Sequence, residues 1–206
     1  MTALAPDGRP LIGTVVRLDR TVVGDTDGLF TALDDARVYE FGYGGGPAGR
    51  PADVAAMQSI VQDTFTDTSR GRLAYTVRLV ADGTLGSAGA VVGTSSLGDP
   101  SLPDERIHLG WTGYSPSVWG TAVNPECKLL LLTHAFEVCG FGRVKIQTDV
   151  LNIRSQAAIA RLGAVREGVL RRYQVRADGT FRDTVVFSIL ASEWPAAKAG
   201  LLARLR

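Results

Sequence analysis

From Trp111 to Trp194 strand-like runs, helix starts and turn residues follow one another in a fixed alternation, and this order constrains the fold more than anything else in the chain. Two helix beginnings lie at its centre. The first is Trp119-Gly120-Thr121-Ala122-Val123-Asn124-Pro125-Glu126, where Asn124 suits a cap, Pro125 the first helical position and Glu126 the positive end of the dipole. The helix it opens runs from Cys127 to Val138 and closes at Gly140. The second is Asn152-Ile153-Arg154-Ser155, which follows an apolar strand run over 143–150 and opens a helix that stops at Gly163. Helix starts that follow strands are where α/β proteins place ligands, anions above all.

Around this centre the patterning is plain. Leu11 to Leu18 reads as one strand, and polar residues at 24–27 start a helix through Phe30, Ala32 and Leu33. The run 39–47 sets aromatics among glycines, which excludes regular structure and predicts a mobile loop. That loop is either a plain connector or a recognition element in which Tyr39, Phe41 and Tyr43 line an acceptor pocket. From the segment 50–53 a helix runs through Val54, Met57, Ile60, Val61 and Phe65, which form one stripe, and the run 66–71 ends it. Strands follow at 73–80 and 88–95, then a polar loop at 98–104 and a central strand at 106–114. The second half adds strands at 143–150, 164–173 and 183–190, a helix at 153–162 and a hairpin turn at Asp178-Gly179. Strands outnumber helices and hairpins are frequent, so the class is α/β with a mixed sheet flanked by helices.

Composition removes whole classes of function. At 206 residues the chain is long enough for one domain with a real core. Its 22 Lys and Arg nearly balance 21 Asp and Glu, which gives no drive toward nucleic acid or an anionic membrane. Two cysteines and two histidines, at no metal-ligand spacing, predict no metal. Cys127 and Cys139 stand roughly 18 Å apart along one helix, so they read as free core thiols of a reducing compartment. The first ten residues read as a flexible leader without the basic start and apolar run of a signal peptide, and no segment spans a bilayer; the expected location is cytoplasmic. His134 reads as a solvated or half-buried helix residue, Glu167 as a surface partner of Arg171, and Trp119 and Tyr114 as either packing or ligand-stacking rings.

The chain also resembles the GCN5-related N-acetyltransferases (GNAT), in the branch of RimJ/RimL-type ribosomal-protein acetyltransferases. The residues that carry the resemblance are Ile107-His108-Leu109-Gly110-Trp111, the segment 119–136, the segment 148–159 and the run 162–171. Asp178-Gly179-Thr180-Phe181-Arg182-Asp183-Thr184, with its continuation to Ser188, and Glu193-Trp194 complete it. The resemblance implies a central, mostly antiparallel twisted sheet splayed at its middle. It divides the chain into an acceptor-side half at 11–105, an acetyl-CoA-binding half at 106–194 and a C-terminal tail or helix at 195–206.

Acetyl transfer from acetyl-CoA to a peptide or small-molecule amine in a ternary complex is the implied activity. Trp119, Gly120, Thr121, Ala122, Val123 and Asn124 then receive the pyrophosphate, Asn152 holds the pantetheine arm and Ser155 reaches the thioester sulfur. His108 stands where many relatives carry a glutamate base, on the same strand face as Arg106 and Gly110. The phosphate loop departs from the family pattern: Trp119, Ala122 and Asn124 replace its usual Arg or Gln, Gly, and Gly or Ala. An acyl-CoA-binding sensor that has lost turnover is therefore the alternative, and association into a homodimer stays open.

Overall fold

The computed structural model describes residues 3–69 and 71–205. Met1 and Thr2 of the leader, Arg70 of the helix-ending run and Arg206 of the C-terminal segment lie outside the described residues. The strands are β1 (Leu11–Ile12), β2 (Val16–Arg20), β3 (Leu73–Leu79), β4 (Val91–Ser101), β5 (Arg106–Tyr114), β6 (Arg143–Asp149), β7 (Val165–Val175) and β8 (Phe181–Leu190). They form one sheet in the order β1-β2-β3-β4-β5-β6-β8-β7, antiparallel throughout except for β5 and β6. The helices are α1 (Thr26–Leu33), α2 (Ala36–Tyr39), α3 (Val54–Ile60), α4 (Val123–Thr133), α5 (Ile153–Ala160) and α6 (Trp194–Ala203). α3 and α4 each run on into a π turn, Val61–Phe65 and His134–Val138.

Strand alternation splits the core in two. Leu73, Tyr75, Val77 and Leu79 of β3, with Ile107 and Leu109 of β5, pack toward Cys127 and Leu131 of α4 and Trp194 of α6. Ala74 points the other way and joins Leu29, Leu33, Met57, Val61 and Phe65 of α1, α3 and its π turn. The sheet thus has helices on both faces, as a chain with this many buried strands requires.

Several sequence expectations need correction. Residues 11–20 form a hairpin, β1 against β2, rather than one strand, because Gly13 and Thr14 turn the chain over a buried carboxylate. That carboxylate is Glu126, which accepts from Thr14 N (2.9 Å), Thr14 Oγ1 (2.8 Å), Val15 N (2.6 Å) and Val16 N (2.6 Å). It staples α4 to the hairpin and does not merely offset a dipole. The loop at 39–47 is short helical turns, Tyr43–Gly45 and Pro47–Gly49 after α2. β4 runs through the expected polar loop to Ser101, with a bulge where Asp99 takes φ +49. The leader is docked: Leu4 N–H donates to Cys139 O (2.8 Å), and Ala3 is buried. His134 is buried beside Cys139, with Nε2 3.6 Å from Sγ. Glu167 pairs with Arg143 of β6, not Arg171, and accepts from Ser188 (2.9 Å).

Candidate active site

β5 and β6 pair only at Arg106↔Arg143, Ile107↔Val144 and His108↔Lys145, although β5 continues to Tyr114 and β6 to Asp149. Beyond His108 and Lys145 the two strands part. Their facing backbone groups are left without ladder partners at mid-sheet, which is an unusual place for free donors and acceptors.

On the other edge of β5, Ser96 pairs with Gly110 and Thr94 with Gly113, so β5 holds one extra residue in a bulge. Trp111 sits in it at φ +50, a conformation that a bulky side chain rarely adopts. What holds it there is packing on both sides of the indole. The His108 ring lies 4.6 Å away, and the Arg72 guanidinium carbon stands 4.7 Å from the ring centre. Two glycines permit this crowding: a Cβ at Gly110 would lie 2.6 Å from His108 Nε2, and one at Gly113 2.7 Å from the Tyr43 ring.

His108 is buried, with Nε2 turned toward Gly110 and Nδ1 3.5 Å from Asp99 Oδ2. That approach is too poorly aligned for a hydrogen bond, and neither ring nitrogen has a partner. Burial lowers its pKa below the ordinary 6.5, opposed by Asp99 and assisted by Lys145 and Lys128. A cavity of about 210 Å³ opens on this side, lined by Asp99, Arg106, Ile107, His108, Arg143 and Lys145.

Behind the bulge, on the α4 face, Lys128 is buried and donates to Thr112 Oγ1 (2.7 Å) and Ser95 Oγ (3.1 Å). Burial pulls its pKa down to about 8. No carboxylate among the described residues pairs with it; its two partners are the hydroxyls of the β4–β5 pair beside the bulge.

The two helix starts flank the opening. α4 begins at Val123, and Asn124 lies within its first turn instead of capping it. The cap position falls to Ala122, without a side-chain cap bond, and the Thr121 hydroxyl before it accepts from Val123 N (3.3 Å) and donates to Val118 O (2.7 Å). Pro125 is accordingly the third helical residue, a place that also asks for no N–H partner. Gly120 takes φ +77 with open space beside it. Ala122 is in the right-handed helical region, and Val123 is buried.

Trp119 Nε1 donates to Tyr114 O (3.0 Å), and its ring lies 3.7 Å from Arg154 and 5.8 Å from Arg37. Two guanidinium groups thus gather where the sequence lacks a basic residue. At the second start Asn152 caps α5 by accepting from Ser155 N (2.9 Å), while its Nδ2 donates to Phe41 O (3.2 Å). The Ser155 hydroxyl makes no hydrogen bond among the described residues.

The three aromatics at 39–43 separate. Tyr39 is core, buried among Leu29, Met57 and Val61, so it does not line a pocket. Phe41 is exposed and offers its carbonyl to Asn152. Tyr43 alone reaches the parted strands, over Gly113 and edge-on to Tyr39 at 5.5 Å. Arg72 and Asp99 stood in no recognised motif, and Trp111 and Lys128 stood in resembling segments without a role of their own; a lone basic residue beside an apolar strand run gives little sign that it will be buried.

A family profile described as Acetyltransferase (GNAT) domain matches residues 16–165. The chain belongs to the GNAT acetyltransferases. It is 34% identical to a protein of T. thermophilus assigned as an acetyltransferase, over 96% of this chain and 97% of that one, with a TM-score of 0.81. A GCN5-related N-acetyltransferase from Brucella melitensis is 25% identical, covering 100% of this chain and 89% of the other at a TM-score of 0.86. RimJ of Mycobacterium smegmatis, solved with CoA-disulfide, shares the fold at 23% identity and a TM-score of 0.78, over 100% and 98% of the two chains. None of the curated proteins matches. In this acetyltransferase the splay sits at the one parallel pair of the sheet, and α4, α5 and the Tyr43 turn meet around it.

Proposed function

We propose that this acetyltransferase moves an acetyl group from acetyl-CoA to a primary amine by direct attack in a ternary complex, with the splay between β5 and β6 as the seat of the reaction. The observation that carries this reading is the loss of pairing after His108↔Lys145, joined to the Trp111 bulge. Unpaired amide edges on both sides suit an extended, amide-containing arm. The start of α4 offers the Asn124 N–H and an open Gly120 to phosphate, with Arg154 and Arg37 close by. These residues fit acetyl-CoA, which supplies an activated thioester and a thiol leaving group.

An amine attacks only when neutral, so a base must take its proton. We assign this to His108 Nε2, which is unpartnered and faces Gly110, with Nδ1 3.5 Å from the Asp99 carboxylate. Ser155, in the first turn of α5 with a free hydroxyl, is placed to donate to the departing sulfur. Asn152 is committed to Ser155 and Phe41 at both ends of its amide, so its contribution is to set the α5 start and tie it to the acceptor-side turn.

The test is release of free thiol from acetyl-CoA across a panel of amines. We expect release that depends on the amine and an acetylated product by mass spectrometry. Binding of acetyl-CoA with no amine-dependent release would favour the sensor alternative.

A further inference from the structure

Arg72 is the most heavily buried guanidinium near the splay, and the carboxylate that acts on its charge, Asp99, makes no bond to it. The residue is only 7% exposed at the start of β3. Its Nε donates to Ser96 Oγ (3.2 Å), and Nη2 has no partner. No carboxylate pairs with it among the described residues. It is sandwiched between Phe65, 5.0 Å to the ring centre, and Trp111 at 4.7 Å. Stacking fixes the guanidinium plane and leaves its edge to form bonds.

Two incomplete groups therefore flank one indole. On one side His108 has two unpartnered ring nitrogens; on the other Arg72 has an unpartnered Nη2. Both lie on the sheet face that Tyr43 approaches, beside the bulge. Lys145 stands opposite His108 on β6, while Arg106 and Arg143 around the same cavity are paired with Asp104 and Glu167. Asp99 is the acid in that lining. Buried polar groups without partners are the usual mark of a site completed by ligand.

We infer that Arg72, held between Phe65 and Trp111, is an anion subsite for the acceptor, and that the acceptor is a small amine that also carries a carboxylate. The carboxylate accepts from Arg72 Nη2 while the amine lies toward His108. A small acceptor suits two groups buried this deeply. Arg72 is then a specificity-determining residue. The inference builds on the proposed amine site, but its test reads binding apart from turnover.

The probes are α-, β- and γ-amino acids, each set against its own carboxamide, titrated in the presence of CoA. Binding is followed by thermal shift and calorimetry, and thiol release from acetyl-CoA is measured on the same panel. At least one free acid should bind wild-type protein about tenfold or more tightly than its carboxamide, as loss of a charged hydrogen bond requires. Arg72→Met should abolish that preference with CoA affinity unchanged, and Arg72→Lys should keep part of it. Acids that bind no better than carboxamides, or a Met variant that retains the preference, would overturn the inference. Should Arg72→Met fail to fold, the wild-type acid-to-amide ratio and the Lys variant decide alone. Acid-selective binding without thiol release upholds the subsite and refutes acetyl transfer, so the two failures are distinct.

Discussion

His108 shows how a single side chain takes its character from its surroundings. Burial lowers its pKa, with Asp99 opposing and Lys145 and Lys128 assisting. A base is active when neutral, so kcat/KM should rise with pH through an inflection below 6.5 and level off above it. His108→Gln should lose the inflection and keep acetyl-CoA affinity. An unchanged profile in that variant would remove His108 from the mechanism. Ser155 invites a companion measurement. Its backbone N–H, not its hydroxyl, is what Asn152 uses, so Ser155→Ala spares the cap. Replacement should lower kcat roughly ten- to a hundredfold with little change in cofactor binding. Full kcat with a lower Tm would make the hydroxyl structural.

At the scale of elements, the start of α4 teaches most. Asn124-Pro125 has the residue types of a cap and first turn, but the helix begins at Val123, whose N–H the Thr121 hydroxyl takes, and Glu126 is committed elsewhere. The commitment is to the β1-β2 hairpin, more than a hundred residues away in sequence, and local reading has no access to such a partner. Glu126→Gln keeps the shape but turns an amide donor toward main-chain donors. It should cost about 3 kcal/mol and lower Tm by roughly 6 to 12 °C. A variant within a degree or two of wild type would show that the hairpin docks without the carboxylate. The second helix start was legible: Asn152 caps α5 as its residue type suggests, since the partner lies three residues away. The same contrast explains the aromatic turn. Tyr39, Phe41 and Tyr43 looked alike in sequence, yet one is core, one exposed and one over Gly113, because short helical turns rotate successive side chains apart.

For the whole molecule, period and turn chemistry carried most of the sheet. The central strand, β6, the α5 segment and the last hairpin fall near their expected bounds, for strong alternation and Asp-Gly turns are local signals. The splay was implied by the family resemblance, and three pairs of register now locate it. The Arg72–Trp111–His108 cluster draws on β3 and β5, so only assembly of the sheet reveals it. Among the described residues no helix is long and apolar enough to cross a membrane. The account places acetyl-CoA between β5 and β6, with its phosphates at the start of α4. Hydrogen exchange with and without acetyl-CoA tests this placement most directly. It should show new protection at residues 109–114, 119–124 and 146–155, and little change in β1 and β2. Protection confined to the hairpin or to β7, with the splay exchanging as before, would contradict it.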